Sequence, residues 1–145
     1  MRKIAYIIVA AWGISADCAA AGDWVSGPIA VEVLNVHDGD SFTVLAHMWP
    51  EQYIRTHVRL AGVDTPEMNG RCDREKILAR QARGVAEKFL SQGGGITIRN
   101  VKLDKYAGRV DADVVNAQGD TLAAALLKAK LAYPYNGGTK RGWCS

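Results

Sequence analysis

Ile29-Ala30-Val31-Glu32-Val33-Leu34-Asn35-Val36-His37-Asp38-Gly39-Asp40-Ser41-Phe42-Thr43-Val44-Leu45-Ala46 is the stretch whose pattern decides the fold. Ile29, Val31 and Val33 share one face, and Glu32 points the other way. That is the two-residue period of a strand with one side inward. Asp38-Gly39 is a hairpin signal, and Ser41 to Ala46 resumes a strand. The stretch therefore reads as two antiparallel strands joined by a tight turn.

Working outward from this hairpin, a third strand runs through Ile54 to Leu60, with Val58 and Leu60 on one face and Arg59 on the other. It ends at Gly62. The proline in Asp64-Thr65-Pro66-Glu67 keeps Thr65 out of the helical region, so this segment is extended or turn-like. Asp73 is placed to cap a helix reaching about Leu90, with Leu78, Ala82, Val85 and Phe89 as its inward stripe. Gly93-Gly94-Gly95 stops that helix. Ile96 to Val101 and Val110 to Val115 read as two further strands, joined by Asp104 to Arg109. Asp120 or Thr121 then caps a last helix carrying Leu122, Leu126 and Ala129. Three strands, a helix, two strands and a helix predict an α+β, mainly β fold: a five-stranded OB-fold-type barrel with two or three helices. A mixed open sheet with helices on one side fits the same pattern.

The N-terminal stretch reads differently. Arg2 and Lys3 precede an apolar run from Ile4 to Ile14, and Ala19-Ala20-Ala21 offers a small-residue cleavage site. Residues 1–21 are expected to be a signal peptide, leaving 22–145 as a single domain in a secreted or periplasmic protein. The run is shorter than the roughly 20 residues a membrane span needs, so no stable membrane association is expected after cleavage. Asp17 before Cys18 argues against a lipid-anchored cysteine, and Cys18 would leave with the peptide. Cys72 and Cys144 then form an even pair, which reads as a disulfide in an oxidising compartment. Neither is accompanied by the spacing of a zinc site. Lys and Arg total 18 against 15 for Asp and Glu, a net charge of +3. A mildly basic chain permits a polyanionic partner without requiring one.

Several clusters could carry chemistry. Asp38-Gly39-Asp40 puts two carboxylates at a turn, although turn formation alone accounts for Asp38-Gly39. An EF-hand is excluded, because the twelfth loop position is Trp49 and Phe42 stands where an acidic ligand belongs. Asp64 and Glu67 sit in irregular backbone after a strand, where carboxylates and a free carbonyl suit a hard cation such as Ca²⁺. Ordinary loop polarity explains them equally well in isolation. Asp104-Lys105-Tyr106-Ala107-Gly108-Arg109 is either a solvated charged turn or a loop that aims Arg109 at a phosphate. Tyr133-Pro134-Tyr135 can stack on a base or pack against the barrel. His37, His47 and His57 share no catalytic spacing.

Taken together, Asp38-Gly39-Asp40-Ser41, Arg59-Leu60-Ala61-Gly62-Val63-Asp64-Thr65-Pro66-Glu67 and Asp104 to Arg109 resemble the three signature regions of the staphylococcal nuclease family. They occur in the family's order, and the resemblance covers roughly residues 29 to 135. It implies an OB-type barrel and a calcium-dependent endonuclease that hydrolyses phosphodiester bonds of DNA and RNA; a monomer is the separate expectation for the chain. On that pattern the Asp40 and Asp64 carboxylates and the Thr65 carbonyl would bind Ca²⁺, with Asp38 supporting them. Glu67 would orient or deprotonate the attacking water, and Arg59 and Arg109 would hold the phosphate. Lys105, Tyr133 and Tyr135 match positions around the substrate. Two departures stand out. Ala107 adds one residue to the commoner D-K-Y-G-R, which bears on how Arg109 enters the site. Met68-Asn69-Gly70-Arg71-Cys72 replaces a lysine-rich loop of the best-known family member. Two other readings remain: a non-catalytic barrel that binds nucleic acid or protein, and a disulfide-stapled extracellular domain with no nucleic-acid role.

Overall fold

A computed structural model describes residues 23–144; the expected signal peptide lies outside the described residues. A two-residue strand β1 (Trp24–Val25) leads into β2 (Ile29–Asp38), β3 (Ser41–Trp49), β4 (Gln52–Leu60) and the short β5 (Val63–Asp64). Helix α1 (Asp73–Leu90) follows, then β6 (Ile96–Leu103), β7 (Arg109–Asn116), helix α2 (Leu122–Lys128) and β8 (Tyr133–Pro134). β2, β3, β4, β7 and β6 pair in that order, and β6 returns to β2. The result is a closed five-stranded mixed barrel with two helices, an OB-fold-type α+β architecture, and the open-sheet alternative is set aside. Among the described strands only the β4–β7 seam is parallel, with Arg59 opposite Asp111. β1 adds to the edge of β6.

The inward faces are those the alternation foresees. Phe42, Val44, Val58, Leu60, Ile98 and Val114 fill the barrel, with Ala82, Ala86 and Phe89 of α1 and Leu122 and Leu126 of α2 packed against it. Among the described residues no helix is long and apolar enough to cross a membrane.

Two local readings differ from the structure, and the Gly39 turn forms as expected but without left-handed backbone. Position 39 is a glycine because α1 and the Thr65 loop press on it: a β-carbon there would stand 2.7 Å from Ala82 Cβ and 3.2 Å from Thr65 Cγ2. The buried line of α1 runs through Ala79, Ala82, Ala86, Phe89 and Leu90, while Leu78 and Val85 are partly buried at its margin. Finally, Cys72, not Asp73, is the N-cap of α1, its sulfur accepting from the Glu75 amide. Thr121 caps α2.

Cys72 and Cys144 are joined in a disulfide, with Cα atoms 5.9 Å apart. It ties the C-terminal tail to the start of α1. β8 pairs with β5, matching Asp64 with Tyr133, and Trp143 stacks on Tyr133 with centroids 4.2 Å apart.

Candidate active site

Strand register does most of the assembly. Ser41 faces Arg59 across β3–β4, so Asp40, one residue earlier, lies beside the arginine. Arg59 faces Asp111 across the β4–β7 seam, which brings in the start of β7 and Arg109. A cleft of about 530 Å³ opens at this rim, lined by residues that include Asp40, Arg59, Glu67, Lys105, Arg109 and Tyr135.

Within it, Arg59 Nη2 lies 3.8 Å from Asp40 Oδ2 and 3.9 Å from Asp64 Oδ1. The same nitrogen donates to the Val63 carbonyl at 3.3 Å, and the guanidinium sits 5.4 Å from the Tyr135 ring centroid. Asp40 Oδ2 accepts from the Thr65 amide at 3.3 Å. Asp38 braces the loop that carries these groups: its two oxygens accept from the Met68 amide at 3.0 Å and from Ser41 Oγ at 3.3 Å. Glu75 supports the same loop from α1, accepting from the amides of Glu67 and Arg71. Arg109 Nε donates to Asp104 Oδ2 in a very short contact, and its guanidinium lies 4.8 Å from the Tyr106 ring centroid.

The structure thus gathers Asp40, Asp64, Thr65, Glu67 and Arg59 around one point, with Arg109, Lys105 and Tyr135 on the cleft wall. Tyr133 does not line this cleft; its ring is occupied by Trp143 and by Arg141, 5.2 Å from its centroid. Two neighbours escaped the sequence reading. Asp111 lines the cleft, and its Oδ1 is buried without a hydrogen bond; the only available signal was its position two residues past Arg109, on the same strand face. The other is Lys140, whose ammonium lies 2.7 Å from Asp64 Oδ1 and 3.0 Å from Glu67 Oε1.

The donor set fits a hard cation. Asp40 and Asp64 are 6% and 3% exposed, and Asp64 Oδ1 is buried with ion-pair contacts but no well-angled hydrogen bond. Two buried carboxylates side by side repel one another and favour a positive charge between them. Arg59 Nη2 already lies near both, and the Lys140 ammonium is drawn against Asp64 and Glu67. Despite the opposing effect of partial burial, its contacts with Asp64 and Glu67 push Lys140 up to about 12.

A family model described as staphylococcal nuclease homologue matches residues 57–141. The chain belongs to the staphylococcal nuclease homologue family. A comparison with curated proteins finds no match. The matched stretch holds Arg59, Asp64, Glu67 and Arg109. Asp40 of this nuclease homologue lies before it, and reaches the others through the β3–β4 register.

Burial pushes Asp40 up to about 6; Arg59 and the Thr65 amide oppose this rise, while Glu67 and Asp64 add to it. The sign follows directly. The folded state prefers the protonated form, so this group's contribution to stability is fully present below its ordinary value of 3.8 and is lost as pH rises through about 6. In metal-free protein, Asp40→Asn is therefore expected to raise the melting temperature at pH 7.5 and to change it little at pH 4. Equal shifts at both pH values would show that Asp40 does not titrate in this window.

Proposed function

We propose that this nuclease homologue hydrolyses phosphodiester bonds of DNA and RNA with the help of Ca²⁺, in an oxidising compartment outside the cytoplasm. The observation that carries the reading is the meeting of Asp40, Asp64, Glu67 and Arg59 at one end of the barrel, beside a cleft whose wall also holds Arg109. The disulfide, together with the expected signal peptide, supports the compartment.

Asp40, Asp64 and the Thr65 carbonyl would hold the ion, which supplies positive charge beside the phosphate and acidity to nearby water. The remaining work falls to side chains. Glu67, half-exposed at the cleft, holds the attacking water and accepts its proton as the water oxygen bonds to phosphorus and the P–O bond to one sugar breaks, the departing oxygen taking a proton from solvent. Arg59 is held by the Val63 carbonyl and the Tyr135 ring, so its fork is set in advance for the phosphate oxygens as charge grows on them. Arg109 adds a second fork after exchanging Asp104 for the phosphate. Lys105 and the face of Tyr135 flank the path of the strand, where stacking tolerates any base.

A binding-only role draws on a specific observation: Arg109 is paired with Asp104 and Glu67 with Lys140, so both groups are engaged internally. One experiment separates the two readings. Purified residues 22–145 are incubated with single-stranded DNA, with Ca²⁺ and then with excess chelator. Cleavage that stops on chelation supports catalysis, whereas DNA binding without cleavage gives the binding role the lead.

For the base, Glu67→Gln is expected to lower the cleavage rate roughly 10²–10⁴-fold with an unchanged melting temperature. A rate within a few-fold of wild type would remove Glu67 from proton transfer.

A further inference from the structure

The C-terminal tail is built over the acidic cluster, and the role assigned to it below depends on calcium binding at Asp40 and Asp64. Three attachments hold the tail there: β8 on β5, the Trp143–Tyr133 stack and the Cys72–Cys144 disulfide. Trp143 is buried. Between these anchors the chain presents Lys140, with its ammonium within hydrogen-bonding distance of one oxygen each of Asp64 and Glu67. Of these two, Asp64 is the metal ligand and Glu67 the base. One tethered cation therefore engages both parts of the machinery.

We propose that Lys140 is a built-in competitor for the metal, occupying the cation position beside Asp64 until calcium displaces it. The physical case has three parts. Asp64 Oδ1 is buried and lacks a well-angled hydrogen bond, so a cation is what offsets its charge, and Lys140 and Ca²⁺ cannot both lie against that oxygen. The anchored tail keeps the ammonium at high effective concentration, so it competes without being lost to solvent. A lysine is a compact point charge on a flexible stem, and this side chain is 48% exposed, which leaves it room to swing aside. The consequence is a raised calcium threshold: the enzyme is silent at low calcium with its base already paired, and is released where calcium is abundant.

The test is calcium binding itself, measured by isothermal titration with CaCl₂ alone on chelator-stripped protein at constant ionic strength. Wild type is compared with Lys140→Met and with Lys105→Met. The second variant removes the same charge from the same cleft, where Lys105 lies over the Tyr106 ring, its ammonium 5.1 Å from the centroid. Equal melting temperatures establish that all three are folded. Lys140→Met is expected to bind calcium roughly two- to fivefold more tightly than wild type, the scale of exposed ion-pair contacts, with a smaller gain for Lys105→Met. Binding by Lys140→Met alone would support the proposal in its strongest form. Unchanged affinity, or a gain no larger than that of Lys105→Met, would overturn it and leave calcium-dependent catalysis standing. No binding by any of the three forms would overturn both.

Discussion

Replacing Arg59 with alanine is expected to slow phosphodiester cleavage roughly 10³–10⁵-fold, the range seen when a positioned arginine is lost from phosphoryl transfer. Its position explains the size of the effect. The guanidinium is largely buried, held from three sides by Val63 O, the two aspartates and the Tyr135 ring, so no solvent cation takes its place without reorganising the site. Arg59→Lys restores the charge but not the planar fork, and should recover only a small part of the loss. The measurement is kcat/KM on a short single-stranded oligonucleotide at saturating calcium. A loss below tenfold for Arg59→Ala would mean that the phosphate binds elsewhere in the cleft.

The second large effect concerns stability. Cys72 and Cys144 are separated by 72 positions, and a loop of that size constrains the unfolded chain by about 4 kcal/mol in the chain-entropy treatment. The double variant Cys72→Ser, Cys144→Ser is expected to lose that amount in urea denaturation, with a fall of roughly 10–20 °C in melting temperature. Serine at position 72 can still cap α1, so the loss reports the cross-link and not the helix start. A loss under 1 kcal/mol would show that the tail holds its place through Trp143 and β8 alone.

Much of this was legible before any coordinates. The hairpin, the strands and both helices follow from two- and 3.6-residue periods because one face of each element meets the core; closure into a barrel does not, since an open sheet carries the same pattern. The errors share a cause, which is contact with something distant in sequence. The α1 stripe shifts toward Ala79 and Ala86 because the helix lies close against Gly39, where small residues pack best; periodicity weighs apolarity and misses closeness. Cys72 takes the cap because the disulfide fixes it there. β3 and β4 run on to Trp49 and Gln52, although Met48, Trp49, Tyr53 and Ile54 are exposed, so burial gave no sign of the longer hairpin. In the site, Asp40, Arg59, Asp64 and Glu67 were visible as motifs. Lys140 was not, since its role depends on a tail folded back across 73 positions.

The parallel seam between β4 and β7 also has a kinetic meaning. Its partners, His57–Leu60 and Arg109–Ala112, are about 52 positions apart, whereas β2, β3 and β4 meet through short turns. Long loops are expensive to close before their contacts reward closure, so the meander should form first and the seam late. Arg59 and Arg109 stand on opposite sides of that seam. In refolding from urea, secondary structure is therefore expected to return ahead of nuclease activity, with the cleft appearing only when the barrel shuts.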